Sequence, residues 1–143
     1  MKTYKLDKNL KLKVIFLFAF LLVSCYAKSQ FKLEISIINV HSNKGKILLE
    51  LLDCNQKSIL GKNCILQNKM GSIIFENLKP AKYAVHFIHD ENSNDKFDTN
   101  WMGIPTEGYG FSNNAFGNFG PQSFDKLLFD MKGDMKIVLT TKY

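Results

Sequence analysis

Apolar and polar residues alternate in short segments along most of this chain. In the first segment, residues 31–40 (FKLEISIINV), every second residue from Phe31 to Ile37 is apolar, and polar residues stand between them. A period of two is typical of a β-strand with one buried face. Similar segments follow at residues 46–53, 72–76, 82–89, 124–131 and 135–141. Because no stretch beyond residue 30 keeps a helical period over ten residues, the sequence predicts an all-β fold.

Polar turns separate these segments and suggest how they pair. Residues 41–45 (HSNKG) predict an antiparallel hairpin between the first two segments, and residues 132–134 (KGD) predict a closing hairpin between the last two. The segment at 82–89 (KYAVHFIH) is apolar on both faces, which favours a central strand. Residues 30–143 are therefore predicted to form a single antiparallel β-sandwich.

Residues 1–29 follow a different pattern. Five lysines precede the apolar run VIFLFAFLLVS at residues 14–24. A short apolar run behind a basic segment is typical of an export signal, and a membrane-spanning helix needs about 20 apolar residues. The sequence therefore predicts a signal peptide at residues 1–29 and a periplasmic or extracellular product.

Two processing sites are compatible with this signal. Small residues at Ala27 and Ser29 predict cleavage before Gln30, which would release a soluble protein. The run LVSC at residues 22–25 resembles a bacterial lipobox, in which Cys25 would be lipidated to give an outer-membrane lipoprotein. Contact with a membrane is expected only through the signal peptide or this lipid anchor.

The positive charge of the chain comes mainly from the signal peptide. The formal net charge is +6, from 19 lysines and 13 acidic residues, with no arginine. Removing residues 1–29 takes away six lysines and one acid, which leaves 13 lysines, 12 acids and a net charge of +1. Without a basic surface, and without arginine for bidentate contacts to phosphate, nucleic acid is excluded as an expected partner.

Two cysteines follow the signal peptide. Cys54 and Cys64 lie ten positions apart across the polar stretch NQKS. In an oxidising compartment they are candidates for a disulfide, the alternative being two buried free thiols. A zinc site is not expected, because no further cysteine or suitably spaced histidine completes one.

A long segment at residues 90–123 interrupts the strand pattern. It contains five glycines and six aromatic residues, and this aromatic content predicts an ordered loop. The aromatic residues are candidates for a partner-binding surface, or equally for a small second core under the loop. The proposed surface residues are Trp101, Tyr109, Phe111, Phe116 and Phe119.

The start of this loop resembles the calcium-binding loop of an EF-hand. Oxygen-bearing side chains occupy its positions 1, 3, 5 and 9, namely Asp90, Asn92, Asn94 and Asp98. Lys96 would contribute its backbone carbonyl. Asp95 replaces the usual glycine and would have to adopt a left-handed conformation. Trp101 replaces the bidentate glutamate, for which Glu107 is the candidate substitute. Residues 90–107 carry five acids and one lysine, so we predict a structural Ca²⁺ here.

An alternative interpretation is a metal- or carboxylate-dependent hydrolase. It would use His89, Asp90, Asp98 and Glu107 around a metal ion or a water molecule. His86 and His89 point to opposite faces of a strand and cannot easily share a metal. Since the sequence contains none of the familiar nucleophile or zinc-hydrolase motifs, a non-enzymatic role is favoured.

Two stretches carry resemblances to known families. The run HDENSNDKFDTNWMGIPTEGYGFSNNAFGNFGPQSF at residues 89–124 resembles the signature of domain-of-unknown-function family 2141, which comprises small exported bacterial proteins. The stretch LKPAKYAVHF resembles a strand entry of transthyretin-like and carboxypeptidase-regulatory-like sandwiches, with Ala81 in place of the usual glycine. These resemblances imply export and a transthyretin-like or Ig-like sandwich, without an established activity. We therefore expect an exported protein that binds another protein, a glycan or an envelope component.

Overall fold

Ten β-strands make up most of the structure. The computed structural model describes residues 30–118 and 120–143. The predicted signal peptide with Cys25, and also Phe119, lie outside the described residues. The strands are β1 (Phe31–Ile38), β2 (Lys46–Asp53), β3 (Ser58–Ile65), β4 (Gly71–Leu78), β5 (Ala81–Asp90), β6 (Gly108–Phe111), β7 (Phe116–Gly117), β8 (Gly120–Pro121), β9 (Phe129–Met131) and β10 (Met135–Thr140). A 3₁₀ helix spans Ser112–Asn114, and a one-turn helix, α1, spans Phe124–Leu127.

The strands form two main sheets that pack as a sandwich, which confirms the predicted fold class. One sheet has three strands in the order β10-β1-β4. The other has five strands: β3, β2, β5 and β6 in order, with β9 also paired to β5. All ladders among the described residues are antiparallel except β1–β10, which is parallel. No helix in this part of the chain is both long and apolar enough to span a membrane.

The core lies between the two sheets and follows the alternation of the sequence. The inward residues of β1, which are Leu33, Ile35 and Ile37, are completely buried. They belong to one cluster with inward residues of β4 and β10 in the same sheet and of β2, β5 and β9 in the opposite sheet. β5 lies between β2 on one edge and β6 with β9 on the other, which confirms the predicted central strand.

Both predicted hairpins are wrong. β1 is paired on its two edges with β4 and β10, so the turn at residues 39–45 carries the chain across to the other sheet instead of pairing β1 with β2. The KGD turn likewise links β9 in one sheet to β10 in the other. The predicted strand at 124–131 begins as helix α1 and becomes β9 only at Phe129. β3, which the sequence analysis did not predict, lacks a regular alternation and is exposed along most of its length.

The hairpin β2–β3 also corrects the predicted disulfide. Cys64 pairs with Ile47 near the start of β2, whereas Cys54 follows the last residue of β2 at the other end of the hairpin. Seven residues of extended chain separate these two ends, a span of about 23 Å. A disulfide bond needs Cα atoms within about 7 Å of each other, so both thiols are free.

Three consecutive polar side chains attach the long loop to the sandwich. β9 pairs with residues 81–83 of β5 and β6 pairs with residues 86–89, which leaves a gap on that edge. The completely buried Ser112 fills the gap: its Oγ accepts the N–H of Val85 at 2.9 Å and donates to the Leu127 carbonyl at 2.6 Å. Asn113 and Asn114 make similar bonds to the backbone around α1 and to β10.

Candidate functional site

The predicted calcium loop begins at Asp90, the last residue of β5. Asp90 is completely buried, and its two carboxylate oxygens accept the backbone N–H groups of Asn94 and Asp95, each at 3.0 Å. Asp95 has φ = 60°, which confirms that it takes the left-handed conformation expected of a residue in a glycine position. Asp90 therefore closes the turn from inside the protein.

The other predicted ligands of the loop are close together. The Nδ2 atoms of Asn92 and Asn94 donate to Oδ2 of Asp98 at 2.6 and 2.9 Å. The Oδ1 atoms of the two asparagines accept backbone N–H groups two residues further on, including that of Lys96. Such side-chain turns are typical of Asn-rich loops. Here the amide nitrogens point at Asp98, and the amide oxygens bond to the backbone of the loop.

Glu107 bridges the two ends of the loop. Its side chain is 4% exposed, Oε1 accepts the N–H of Glu91 at 3.0 Å, and Oε2 accepts the N–H of Asp98 at 3.1 Å. Both oxygens thus bind backbone groups of partly buried residues. Its observed contacts are those of a clamp on the backbone.

A lysine from β2 lies beside the acidic residues of the loop. Lys46 Nζ is 2.6 Å from Oδ1 of Asp95 and 3.9 Å from Oδ2 of the buried Asp90. The hydrogen bond to Asp95 is the main cause of a raised pKa of Lys46; burial opposes it, and the charges of Asp95 and Asp90 add to it. The ammonium group therefore balances part of the negative charge of the loop. Among the described residues, no three His, Cys, Asp or Glu side chains come together as a metal-binding group.

His89 has the surroundings of a structural histidine. It is completely buried, with Nε2 2.8 Å from the Lys44 carbonyl and Nδ1 2.8 Å from the Tyr143 hydroxyl. Because a carbonyl can only accept, Nε2 carries a proton, and Nδ1 lies 3.5 Å from Oε1 of Glu91 in addition to its contact with Tyr143. The same hydroxyl accepts the N–H of His41, whose ring stacks on Tyr143. Burial raises the pKa of Tyr143; the bond from His41 opposes this shift and the charge of Glu91 adds to it.

The loop carries an exposed apolar tip, which we define as Trp101, Met102 and Ile104. These side chains are 92%, 62% and 53% exposed. Their backbone is nevertheless well fixed: Oδ1 of Asn100 accepts the N–H groups of Met102 and Ile104 at 2.9 and 3.0 Å, and the Asn100 N–H donates to the Ile104 carbonyl. Gly103, with φ = 79°, supplies the turn. The tip is thus a bonded turn that presents large apolar side chains to solvent.

The other predicted surface residues lie behind the tip and mostly pack on one another. Tyr109 is 9% exposed and makes edge-to-face contacts with Phe97, Phe111 and Phe116 at centroid distances of 5.7–6.1 Å. This aromatic cluster corresponds to the small second core considered as the alternative. Of the four predicted surface residues that are described, only Trp101 is highly exposed.

A cavity of about 650 Å³ opens between the tip and the aromatic cluster. Its walls include Met102, Ile104 and Pro105 on one side and Tyr109 and Phe111 on the other. This volume is in the range of small-ligand sites, about 300–1,000 Å³. Met102 and Ile104 were not among the surface residues predicted from the sequence. The apolar run WMGIP in a polar loop was the feature that could have identified them.

Comparison with models of known protein families identifies one family that this chain matches. A sequence model of the family described as "Uncharacterized protein conserved in bacteria (DUF2141)" matches residues 35–138. No curated protein matches the chain, and no solved structure matches it. The match runs from β1 into β10 and includes the acidic loop, the apolar tip and the aromatic cluster. Because it covers well over half of the chain, this protein is a member of the DUF2141 family.

Proposed function

We propose that this protein is a non-enzymatic binding module of the bacterial cell envelope and that it recognises its partner through the apolar tip and the cavity beside it. The observation that carries this proposal is the exposure of Trp101, Met102 and Ile104 on one turn. Contiguous exposed apolar side chains are typical of interaction sites, and tryptophan is enriched among the residues that dominate binding energy.

The hydrogen bonds of the tip support this proposal. Asn100 fixes the backbone on both sides of Gly103, so little conformational entropy would be lost when a partner binds. Methionine beside tryptophan supplies an adaptable apolar surface. Two residues of the alternative hydrolase are already hydrogen-bonded inside the protein: His89 and Glu107 each use both side-chain polar atoms in internal hydrogen bonds. This favours the binding module over the hydrolase.

The intrinsic fluorescence of the protein tests this function directly, because Trp101 is its single tryptophan. Titration with solubilised peptidoglycan fragments, phospholipid vesicles and a detergent extract of envelope proteins should give a saturable blue shift with one of them. The variant Met102→Ser, Ile104→Ser keeps the fluorophore and should bind about tenfold or more weakly. Val138→Ser is the matched control, since Val138 is 54% exposed on β10 and its loss should leave binding unchanged. A normal response of the double variant, or no response to all three preparations, would overturn the proposal.

The proposed Ca²⁺ of the acidic loop would hold the base of the tip in place. The residues that fit this ion are Asp90, Asn92, Asn94 and Asp98, since their oxygen atoms are the ligands that a hard cation prefers. Asp90 also accepts two backbone N–H groups, but these belong to Asn94 and Asp95 inside the loop. We leave Glu107 out of this set because it instead bonds to the two ends of the loop, at Glu91 and Asp98. The ion would offset negative charge that Lys46 balances only in part.

Thermal unfolding in EDTA, in millimolar Ca²⁺ and in Mg²⁺ tests the calcium site. At free Ca²⁺ about 100-fold above Kd, binding to the folded state adds about 2.7 kcal/mol to the free energy of unfolding. Asp98→Asn should abolish this increase, whereas Asp130→Asn, at an exposed position of β9, should keep it. Asp98 is a better choice than Asp90, whose carboxylate closes the turn. Equal midpoints in EDTA and Ca²⁺ would rule out a site at these concentrations.

A further inference from the structure

The chain covers only part of the outer face of the five-stranded sheet. Near the α1 end, Leu52 of β2 and Ala84 of β5 are buried beneath Ala115 and Leu127. Further along the same two strands, Leu48 and Ile88 point to the same side and remain partly exposed. They line a cavity of about 610 Å³. Apolar residues in the middle of a solvent-facing sheet surface, away from its edges, indicate a site that something else covers.

An aromatic wall borders this cavity on one side. Phe111 of β6 lies directly across from His86 in the ladder, and Phe97 packs edge-to-face on Tyr109 next to it. Both phenylalanines line the cavity, and Phe97 is 43% exposed. The wall therefore offers partly free aromatic rings to a flat apolar ligand face.

A polar pair lies on the floor of the cavity. Glu50 of β2 and His86 of β5 are direct cross-strand neighbours, and Nε2 of His86 donates to Oε2 of Glu50 at 2.9 Å. Both side chains are about half exposed. Oε1 of Glu50 has no hydrogen-bond partner among the described residues and remains available as an acceptor. Asn63 of β3 adds an amide that can donate and accept.

Both acids that line the cavity have a basic partner. Asp95 is bonded to Lys46 at 2.6 Å and Glu50 to His86 at 2.9 Å, whereas the Lys62 ammonium group bonds to the Ile74 carbonyl in the other sheet. Neither acid is therefore left unpaired to select a cationic ligand. The lining favours a neutral molecule with an apolar face and several hydroxyl groups.

We propose that this groove, defined by Leu48, Glu50, Asn63, His86, Ile88 and Phe111, binds a neutral saccharide. The aromatic wall would pack against the C–H face of a sugar ring, and the unpaired oxygen of Glu50 would accept a hydrogen bond from one of its hydroxyl groups. This groove shares Phe111 with the cavity beside the apolar tip but includes none of the three tip residues, and it does not depend on the function proposed for the tip.

Backbone amide NMR spectra of the purified protein, titrated with cellotriose, chitotriose and maltotriose, test this assignment. With at least one of these neutral sugars, residues 48–50, 61–63 and 86–88 should shift saturably, while residues 100–104 should not. Glu50→Gln and His86→Ala should each weaken binding about tenfold, since the first replaces a carboxylate acceptor with an amide and the second removes the ring that holds Glu50 in place. The Met102→Ser, Ile104→Ser variant should bind the sugar normally, which distinguishes this site from the tip.

Glu34→Gln provides the matched control. Glu34 lies on the solvent side of β1 in the other sheet and pairs with Lys136 at 3.1 Å, so its amide should leave sugar binding unchanged. Choline serves as a cationic probe of the same amides. Saturation by choline but by none of the sugars, shifts confined to the tip, or no shifts at millimolar sugar would each overturn the proposal.

Discussion

Gly45→Ala is expected to lower the free energy of unfolding by about 3–5 kcal/mol. Gly45 has φ = 69°, where an alanine costs energy through its Cβ atom. That Cβ would also collide with the backbone oxygen of Asp90 and would lie 2.7 Å from Cα of Glu91. Because both neighbours are backbone atoms, no side-chain rotation relieves the contact. Urea unfolding followed by circular dichroism measures the loss.

Gly133→Ala is the control for this substitution. Gly133 lies in the turn before β10, without a positive φ and with open space where the Cβ would be placed. Its free energy of unfolding should change by less than about 0.5 kcal/mol. A similarly small effect at Gly45 would show that the turn between β1 and β2 does not pack against the start of the acidic loop.

Glu107→Ala is expected to have a comparable effect, a loss of about 3–5 kcal/mol. The substitution removes a buried carboxylate that accepts two backbone N–H groups, and hydrogen bonds to charged groups contribute about 1.5–3 kcal/mol each. Glu76→Ala, at an exposed position of β4, should cost little. Urea unfolding measures the total loss in the free energy of unfolding. Hydrogen exchange should show that the amides of Glu91 and Asp98 lose protection together.

Glu107→Gln separates the charge of this side chain from its shape. The amide keeps one acceptor but places an NH₂ group against the second backbone N–H. The free energy of unfolding of Glu107→Gln should therefore lie between those of the wild type and Glu107→Ala. If Glu107 were instead a calcium ligand, both variants would be near neutral in EDTA and destabilising only in Ca²⁺. That result would contradict the clamp and restore Glu107 to the proposed ligand set.

The alternation of single strands could be predicted from the sequence, but their pairing could not. The period of two in β1 identified Leu33, Ile35 and Ile37 as core residues because the side-chain direction depends only on the local backbone. The partners of β1 are distant in the chain, and a polar turn looks alike whether it closes a hairpin or crosses between sheets. β3 was missed because the strand SILGKNCI is held by its pairing with β2 and has little burial of its own.

The candidate site, too, could be predicted from the sequence only in part. The oxygen spacing from Asp90 to Asp98 was visible in the sequence, and so was the left-handed conformation required at Asp95. The sequence could not show that Glu107 bonds to the backbone at both ends of the loop, because that depends on where β6 pairs with β5. The Glu50–His86 pair, likewise, exists only in the register that aligns β2 with β5.

The parallel ladder between β1 and β10 determines when this protein can fold. Leu33 pairs with Met135, 102 positions later, so the first strand leaves the ribosome long before its partner is made. Contacts between residues so far apart in the chain slow folding, because a long loop must close before they can form. The three-stranded sheet is therefore complete only after β10 has been synthesised. A chain whose sandwich stays incomplete until then is suited to crossing a membrane as an extended polypeptide, as the signal peptide predicted at residues 1–29 would require.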